Sequence, residues 1–258
     1  MKLWTIAYNT FRENIRDRVL YNLLVFAVLM MGLSVALGRL SIAERYRITV
    51  DVGLSSISIF GALMAIFLGI GLVSKEIERK TIYTLIAKPV SRSAFILGRF
   101  GGLMLTIGVN LLIMSVAFTL VLYLNMVQPG WPLTWPIAQA IIMIYVELGI
   151  ITAVAMVFST FSTPTLSAIF TLCFVVIGRF AAGLAPLISR DDNPALFRAA
   201  QLLYYLVPNL TNYIRIEAAI YGDGLGPALF LRIMAIGGLT AAFFLLIAIL
   251  IFQRRNFV

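Results

Sequence analysis

The sequence has no histidine and only one cysteine among its 258 residues. The lack of histidine excludes Ser-His-Asp and Cys-His catalysis, histidine-ligated zinc and histidine proton relays. The lone thiol, Cys173, cannot form a disulfide within the chain. Charged residues are also scarce: they make up 12% of the chain, roughly half the share that a soluble domain needs to cover its surface. The composition therefore argues against a soluble protein and against most catalytic or metal-binding sites.

Apolar residues dominate the composition, with a 61% share and a mean hydropathy of +1.00. Lipid is therefore the expected solvent for most of the protein surface. The net charge of +9 would suggest nucleic-acid binding in a soluble protein. Here the basic residues mostly flank apolar runs, so we expect them to bind anionic membrane lipids and we expect no nucleic-acid partner.

Six stretches are long and apolar enough to cross a bilayer as helices, which takes about 20 residues each. They are continuous and lack the period-two alternation of a membrane barrel, so the predicted fold is all-α and integral to the membrane. We expect one domain, residues 1–258. The predicted spans cover approximately residues 19–37, 54–73, 100–124, 135–158, 165–187 and 227–252.

The distribution of lysine and arginine predicts the orientation of the spans. Six crossings place both termini on one side of the membrane. If that side is the cytoplasm, 12 basic residues face it and 8 face the opposite side. The positive-inside rule therefore favours a multi-pass protein of the inner (plasma) membrane with both termini cytoplasmic.

The first 17 residues predict an amphipathic helix over residues 2–17. Its apolar face would carry Trp4, Tyr8, Phe11 and Ile15, and its polar face Asn9, Arg12, Glu13 and Arg16. Such a helix either lies in the membrane interface or simply extends the first span into the cytosol. The aromatic stripe favours the interfacial position, since it needs an apolar surface.

Residues 188–226 are too polar to span the membrane and too apolar for a free loop. Asp192-Asn193-Pro194 is typical of a helix start, and Pro208 of a helix end. A second short helix is predicted from Leu210 to Tyr221. We expect these two helices to lie against the outer leaflet before the sixth span.

The loop between the second and third spans, residues 74–92, has an unusual pattern. It starts as a charged helix with acid–base pairs from Glu76 to Arg79 and to Lys80, and then becomes apolar. Lys88-Pro89 should end this helix, and Ser91 can cap the next one. The segment is either an amphipathic coupling helix that inserts into a groove of a partner protein, or a basic loop that only sets topology.

The run Glu76…Thr81-Ile82…Leu85-Ile86…Lys88-Pro89-Val90-Ser91-Arg92…Ile96…Gly98-Arg99 resembles the signature of ABC-2 type permeases, in particular the six-span, NosY-like branch. Lys80 departs from it, since glycine is usual there. Weaker likenesses extend along nearly the whole chain, from Thr10-Phe11-Arg12-Glu13 to the basic C-terminal end.

The resemblance implies a non-catalytic permease subunit of an ATP-driven ABC transporter, and it favours an exporter over an importer. A separate ABC ATPase subunit would hold ATP and Mg, and a second permease chain, identical or different, would complete the transporter. This chain would bind no cofactor or metal itself. Consistent with that division, it has no Gly-x-x-x-x-Gly-Lys-Ser/Thr motif. The implied ATPase-coupling residues are Lys75, Glu76, Glu78, Arg79, Thr81, Leu85, Pro89, Val90 and Arg92.

Glu147 is the only acidic residue deep inside a predicted span, about 18 Å from its start. A carboxylate at that depth must be paired, protonated or wetted by a cavity. Glu147 either contacts substrate or gates its path, or it has a structural role. Arg179, in the fifth span, is a candidate partner, although it could instead snorkel to the interface.

Small residues recur every four positions on the second span, at Gly61, Ala65 and Gly69, and Gly98 and Gly102 repeat this spacing at the start of the third. Such stripes let helix backbones approach closely in lipid. They predict either a seam between two permease chains or contacts within one chain.

Three alternatives to an ATP-driven permease remain at this stage. A secondary transporter or channel would need polar groups in several spans and discontinuous helices. A membrane enzyme would need a nucleophile–base pair or a carboxylate dyad at depth. A membrane scaffold could be driven by an ATPase without moving a solute.

Overall fold

A computed structural model describes residues 2–40, 45–78, 91–124, 134–188, 207–214, 216 and 224–254. Over these ranges the chain forms seven α-helices and one short 3-10 helix, and no β-strand. The α-helices are α1 (Lys2–Asn14), α2 (Arg18–Leu40), α3 (Arg45–Glu78), α4 (Arg92–Leu124), α5 (Trp135–Phe161), α6 (Pro164–Ile188) and α7 (Pro227–Arg254), and the 3-10 helix is Leu210–Tyr213.

Each of the six predicted spans lies within one of the helices α2 to α7, in chain order. Four segments have the length and composition to cross a membrane: Tyr46–Gly71, Arg92–Leu124, Trp135–Phe161 and Pro227–Arg254. Two shorter apolar segments, Leu20–Ala36 and Pro164–Phe180, belong to α2 and α6. The all-helical, membrane-integral fold class is thus confirmed, while the number of six crossings stays a prediction.

Two helices begin well before the predicted spans that they contain. Helix α3 starts at Arg45, well ahead of residue 54, because a helix continues through polar residues that a hydropathy window leaves out. Helix α4 starts at Arg92, directly after the predicted cap residue. The Ser91 hydroxyl accepts a hydrogen bond from the Ala94 N–H at 3.3 Å, which is the expected N-cap contact.

Helix α5 lies at the centre of the bundle and is packed closely against α3. Leu148 and Ala155 on α5 are fully buried and face Gly61 and Gly69 on α3. A Cβ atom would lie 2.8 Å from the Leu148 side chain at position 61, and 2.5 Å from the Ala155 Cβ at position 69. Ala65, between the two glycines, is fully buried as well. These glycines thus make contacts within one chain, which is one of the two roles predicted for them.

Helices α3 and α5 run in the same direction, because these contacts advance together along both helices. Near their ends, the Ser159 hydroxyl of α5 donates to the Ile70 carbonyl of α3 at 3.0 Å. At this same end the start of α4 meets the last turn of α7, where the rings of Phe95 and Phe252 stack. We call it the α1 end of the bundle, since α1 packs there against the first turns of α4.

The opposite end of the bundle is tied by a glutamine. Gln139, near the start of α5, donates from its amide nitrogen to the Leu225 carbonyl at 2.9 Å. Its amide oxygen accepts from the Leu225 N–H at 2.9 Å. This two-way contact fixes the residues that lead into α7 beside the first turn of α5.

Helix α1 has three faces, of which two were predicted. Trp4 and Tyr8 are 67% and 53% exposed, and the predicted polar face is exposed too. The third face carries small and polar side chains, buried against α4: Ala7, Thr10 and Asn14. This third face was not predicted, because none of its residues is a large hydrophobe. The interfacial position of the aromatic face stays a prediction.

The segment before α7 is described only in part. A 3-10 helix at Leu210–Tyr213 lies where the second short helix was predicted. The first predicted short helix, after Asp192-Asn193-Pro194, falls outside the described residues, as do residues 215 and 217–223.

Candidate functional site

Three polar side chains from three helices meet in the interior of the bundle. They are Ser58 of α3, Glu147 of α5 and Arg179 of α6, and we call them the central polar cluster. Arg179 donates from Nε to the Glu147 Oε1 atom at 3.0 Å, and its Nη2 atom forms an ion pair with the same oxygen, also at 3.0 Å. Glu147 is 0% exposed and the Arg179 side chain 18% exposed. Of the two roles considered for Arg179, the structure shows pairing with Glu147 rather than snorkelling.

The Ser58 hydroxyl completes a closed circuit of hydrogen bonds. It accepts from Arg179 Nη2 at 2.7 Å and donates to the second carboxylate oxygen of Glu147 at 3.4 Å. The Ser58 backbone carbonyl also accepts from Arg179 Nη2, at 3.2 Å. Both carboxylate oxygens therefore have partners within the chain, as a buried carboxylate requires.

A short segment outside the long helices holds the backbone of Arg179. The Thr211 hydroxyl donates to the Arg179 carbonyl at 2.9 Å, and the Asn209 side chain accepts from the Thr211 N–H at 3.0 Å. Gly178 leaves room for this segment, because a Cβ atom there would lie 2.9 Å from the Leu210 side chain. The 3-10 helix is thus seated on α6 beside the central polar cluster.

A second group of contacts joins α1, α4 and α7 at the α1 end. We call it the junction, formed by Glu13, Arg92, Phe95, Arg99 and Phe252. The Phe95 and Phe252 rings are both buried and stack with centroids 5.9 Å apart and planes 19° apart. The Arg99 guanidinium lies 5.2 Å from the centroid of the Phe95 ring and 3.4 Å from the Glu13 carboxylate. Nothing in the sequence signalled this group, because its members are up to 239 positions apart.

Helices α4 and α5 diverge to leave an open groove of about 900 Å³. Its walls are apolar, and hydroxyl groups within it are turned back to their own helix: Ser115 donates to the Leu111 carbonyl and Thr119 to the Ser115 carbonyl. The Tyr145 hydroxyl of α5 donates to the Met104 carbonyl of α4 at 3.0 Å. Such a surface presents almost only carbon atoms and suits contact with lipid.

The comparison with protein families matches residues 4–257 to the family described as ABC-2 family transporter protein. The chain belongs to the ABC-2 transporter family. The match covers nearly the whole sequence, so it applies to the bundle as a unit rather than to one segment. A search of curated proteins gives no significant match.

Family membership and the apolar helices together make this chain a multi-pass membrane protein. Members of the family are typically non-catalytic membrane subunits of transporters. Within the described ranges, no three His, Cys, Asp or Glu side chains come together in a way that could hold a metal ion.

The predicted coupling residues fall mostly outside the described part of the chain. The backbone of α3 continues through Lys75, Glu76 and Glu78, but their side chains are not described. The residues between Glu78 and Ser91 lie outside the described part of the chain, and five of the predicted coupling positions are among them: Arg79, Thr81, Leu85, Pro89 and Val90.

Arg92 is the member of that set whose side chain is described. It donates from Nη1 to the carbonyls of Phe252 and Gln253, at 3.3 and 2.9 Å. These carbonyls belong to the last turn of α7. Arg92 therefore contacts the C-terminal end of its own chain's last long helix, which the sequence analysis did not anticipate.

Proposed function

We propose that this chain is the permease subunit of an ATP-driven ABC exporter of the NosY-like branch. It works with a separate ABC ATPase subunit, which binds ATP and Mg, and with a second permease chain. The family match over residues 4–257 carries this proposal. It includes residues 74–92, which we call the coupling segment, as well as the spans on both sides.

The proposed orientation puts the α1 end in the cytoplasm, where an ATPase subunit could reach it. The coupling segment joins Glu78 at the end of α3 to Arg92 at the start of α4, so it emerges at this end. Arg12 of α1, Arg16 just after α1 and Arg254 of α7 are exposed at this end. Such a basic surface is typical of a cytoplasmic face bordered by anionic lipid.

We infer that the central polar cluster has a structural role rather than a role in binding substrate. Both oxygens of Glu147 are engaged by Arg179 and Ser58, and the carboxylate is fully buried. A group that contacts cargo would need at least one face open to a cavity. The cluster instead ties α3, α5 and α6 together.

The continuity of the helices favours an ATP-driven permease over a secondary transporter. Transporters driven by ion gradients commonly bind substrate at breaks in their membrane helices. In the described part of the chain, α3, α4, α5 and α7 run for 34, 33, 27 and 28 residues without a break. Energy would then enter from outside the bundle, through the coupling segment.

Purification of the tagged chain from its native membrane tests the proposal. We expect an ATPase subunit to co-purify with the wild-type chain, and to be lost when Glu76→Lys and Arg79→Glu are combined. Arg232→Glu is the matched control, because Arg232 is exposed near the start of α7, at the end opposite to the coupling segment. All variants should elute as the wild type does in size-exclusion chromatography.

The proposal fails if no nucleotide-hydrolysing protein accompanies the wild-type chain. It also fails if a chain that lacks residues 75–92 retains the ATPase subunit and full ATP-dependent activity. Activity without any ATPase partner would favour a secondary transporter or channel.

A further inference from the structure

The junction connects the start of α4 to α1 and to the C-terminal end of α7. We propose that Arg92, Phe95 and Arg99 make α1, the first turns of α4 and the C-terminal end of α7 move as one body when the ATPase acts on the coupling segment. This inference rests on the proposed function, since it assigns a path by which the motion enters the bundle.

Arg92 caps the C-terminal end of α7. The last four carbonyls of a helix have no partner within it, and the end carries partial negative charge. The Arg92 guanidinium donates to two of these carbonyls, those of Phe252 and Gln253. A planar guanidinium can hold two acceptors at fixed angles, which a lysine ammonium cannot.

Arg92, Phe95 and Arg99 lie on one face of α4, since they are spaced by three and four residues. The middle member stacks on Phe252 and so adds a buried apolar contact to the cap. The last member, Arg99, lies over the Phe95 ring and reaches Glu13 of α1. One face of one helix thus contacts both of the other elements.

Close backbone contact leaves α1 little freedom to slide on α4. A Cβ atom at Gly98 would lie 2.9 Å from the Ile6 Cβ, and one at Gly102 would lie 2.5 Å from the Thr10 Cβ. The Ala7 carbonyl is closer still to that position at Gly102. Helices packed this closely have a few discrete arrangements rather than a continuous range of positions. We therefore expect α1 to move together with α4.

The other end of the coupling segment belongs to a different group of helices. It continues from α3, which is bound to α5 by the Ser159–Ile70 hydrogen bond and by the contact of Gly69 with Ala155. The segment therefore bridges two groups: α3 with α5, and α1 with the start of α4 and the C-terminal end of α7. A force on it would change the spacing between these groups at the α1 end.

The contacts between α7 and α5 suggest where such a movement would pivot. A Cβ atom at Gly237 would collide with the Val146 side chain, so the two backbones are close there. The Gln139–Leu225 contact fixes the residues before α7 at the opposite end of the bundle. The C-terminal end of α7 is far from both, and is the part that can follow α4.

Distances between spin labels in the complex with the co-purifying ATPase test this inference. In a Cys173→Ser background, one pair joins Asn9→Cys on α1 to Arg254→Cys on α7, within the proposed body. A second pair joins Arg254→Cys to Phe161→Cys at the end of α5. All three positions are exposed. Labelled chain is diluted with unlabelled chain, so that distances within one chain dominate.

We expect ATP with vanadate to shift the 161–254 distance and to leave the 9–254 distance unchanged. With Arg92→Ala, the 9–254 distance should become nucleotide-dependent as well. Arg12→Ala is the matched control, since it removes an exposed arginine of α1 at the same end. It should behave as the wild type does.

A wild-type 9–254 distance that shifts as much as the 161–254 distance overturns the inference and leaves the proposed function intact. So does Arg92→Ala if it broadens the 9–254 distance equally with and without nucleotide, because that would be a purely structural effect. If the bound ATPase hydrolyses ATP and neither distance changes, the coupling in the proposed function fails, and the inference fails with it.

Discussion

The central polar cluster and the junction both join three parts of the chain through arginine side chains, but in opposite surroundings. In the cluster, Glu147 is 0% exposed and Arg179 only 18%. In the junction, Glu13 is 51% exposed and Arg92 is exposed as well, while Arg99 is 13% exposed. Water and salt therefore screen the carboxylate of the junction ion pair, whereas the buried carboxylate of Glu147 has no such screening.

This difference determines what holds each region together. In the cluster, the charges have to be paired, because an isolated ion in such a place is very unfavourable. In the junction the ion pair contributes little, and the stacked rings and the close approach of α1 to Gly98 and Gly102 define the geometry. Substitutions should therefore affect the cluster through charge and the junction through shape.

The largest effect is expected for Glu147→Leu. It leaves the Arg179 guanidinium, which cannot lose its proton, without its carboxylate partner. Removal of one partner of a buried ion pair costs about 3–5 kcal/mol. Unfolding of the purified protein by SDS in mixed micelles, followed by circular dichroism, measures the loss.

The double variant Glu147→Leu/Arg179→Met separates charge from packing. It replaces both ions by apolar side chains of similar size, so most of the lost stability should return. The opposite result would be a double variant whose loss of stability equals the sum of the losses in the two single variants. The paired charges would then stabilise the bundle more than apolar side chains of similar size do. The contrast between a cluster that is sensitive to charge and a junction that is sensitive to shape would then be wrong.

The next largest effect concerns backbone approach between α3 and α5. In Gly69→Ala the new Cβ would lie 2.5 Å from the Ala155 Cβ, which forces the helices apart at a cost of about 1–3 kcal/mol. Gly238→Ala is the matched control, because nothing lies within 4 Å of a Cβ there. It should be neutral or stabilise by about 0.5–1 kcal/mol through helix propensity. Equal effects of the two changes would contradict the close packing of α3 on α5.

The long helices could be predicted from sequence because lipid offers no partner for backbone groups. A continuous apolar run of about 20 residues must then be helical, whatever its neighbours are. The chemistry of the N-cap is local too, which is why Ser91 was placed correctly. Features of this kind depend on residues close together in the sequence.

The members of the central polar cluster show where prediction from sequence ends. Glu147 stood out as an acid at depth, but its pairing with Arg179 depends on how α5 and α6 are rotated, so two roles for Arg179 remained open. Ser58 carried no signal at all. Ser56 on the same helix bonds to its own backbone, at the Val52 carbonyl, and no pattern distinguishes the two serines beforehand. The contact of Arg92 with α7 links residues 160 and 161 positions apart, beyond any local pattern.

A smaller effect is expected where the 3-10 helix meets α6. Thr211→Val keeps the shape of the side chain but removes the hydroxyl that donates to the Arg179 carbonyl. Loss of such a hydrogen bond costs about 0.5–1.5 kcal/mol. Thr119→Val is the matched control, because that hydroxyl bonds within its own helix, to the Ser115 carbonyl. Unfolding in mixed micelles should show a loss for position 211 that exceeds the loss for position 119; equal losses would mean that the segment does not hold α6.

The smallest effect should come from the junction charge, with Glu13→Gln. The Glu13–Arg99 contact is 3.4 Å long and half exposed on the Glu13 side, so its loss should cost less than about 1 kcal/mol and should vanish at high salt. Hydrogen exchange of the α1 amides measures how far α1 is released from α4. In the same assay Gly102→Ala should expose α1 far more, at any salt concentration, because its Cβ would collide with the Ala7 carbonyl. If Glu13→Gln instead releases α1 as fully as Gly102→Ala does, the junction depends on charge as the central polar cluster does, and the contrast between the two regions disappears.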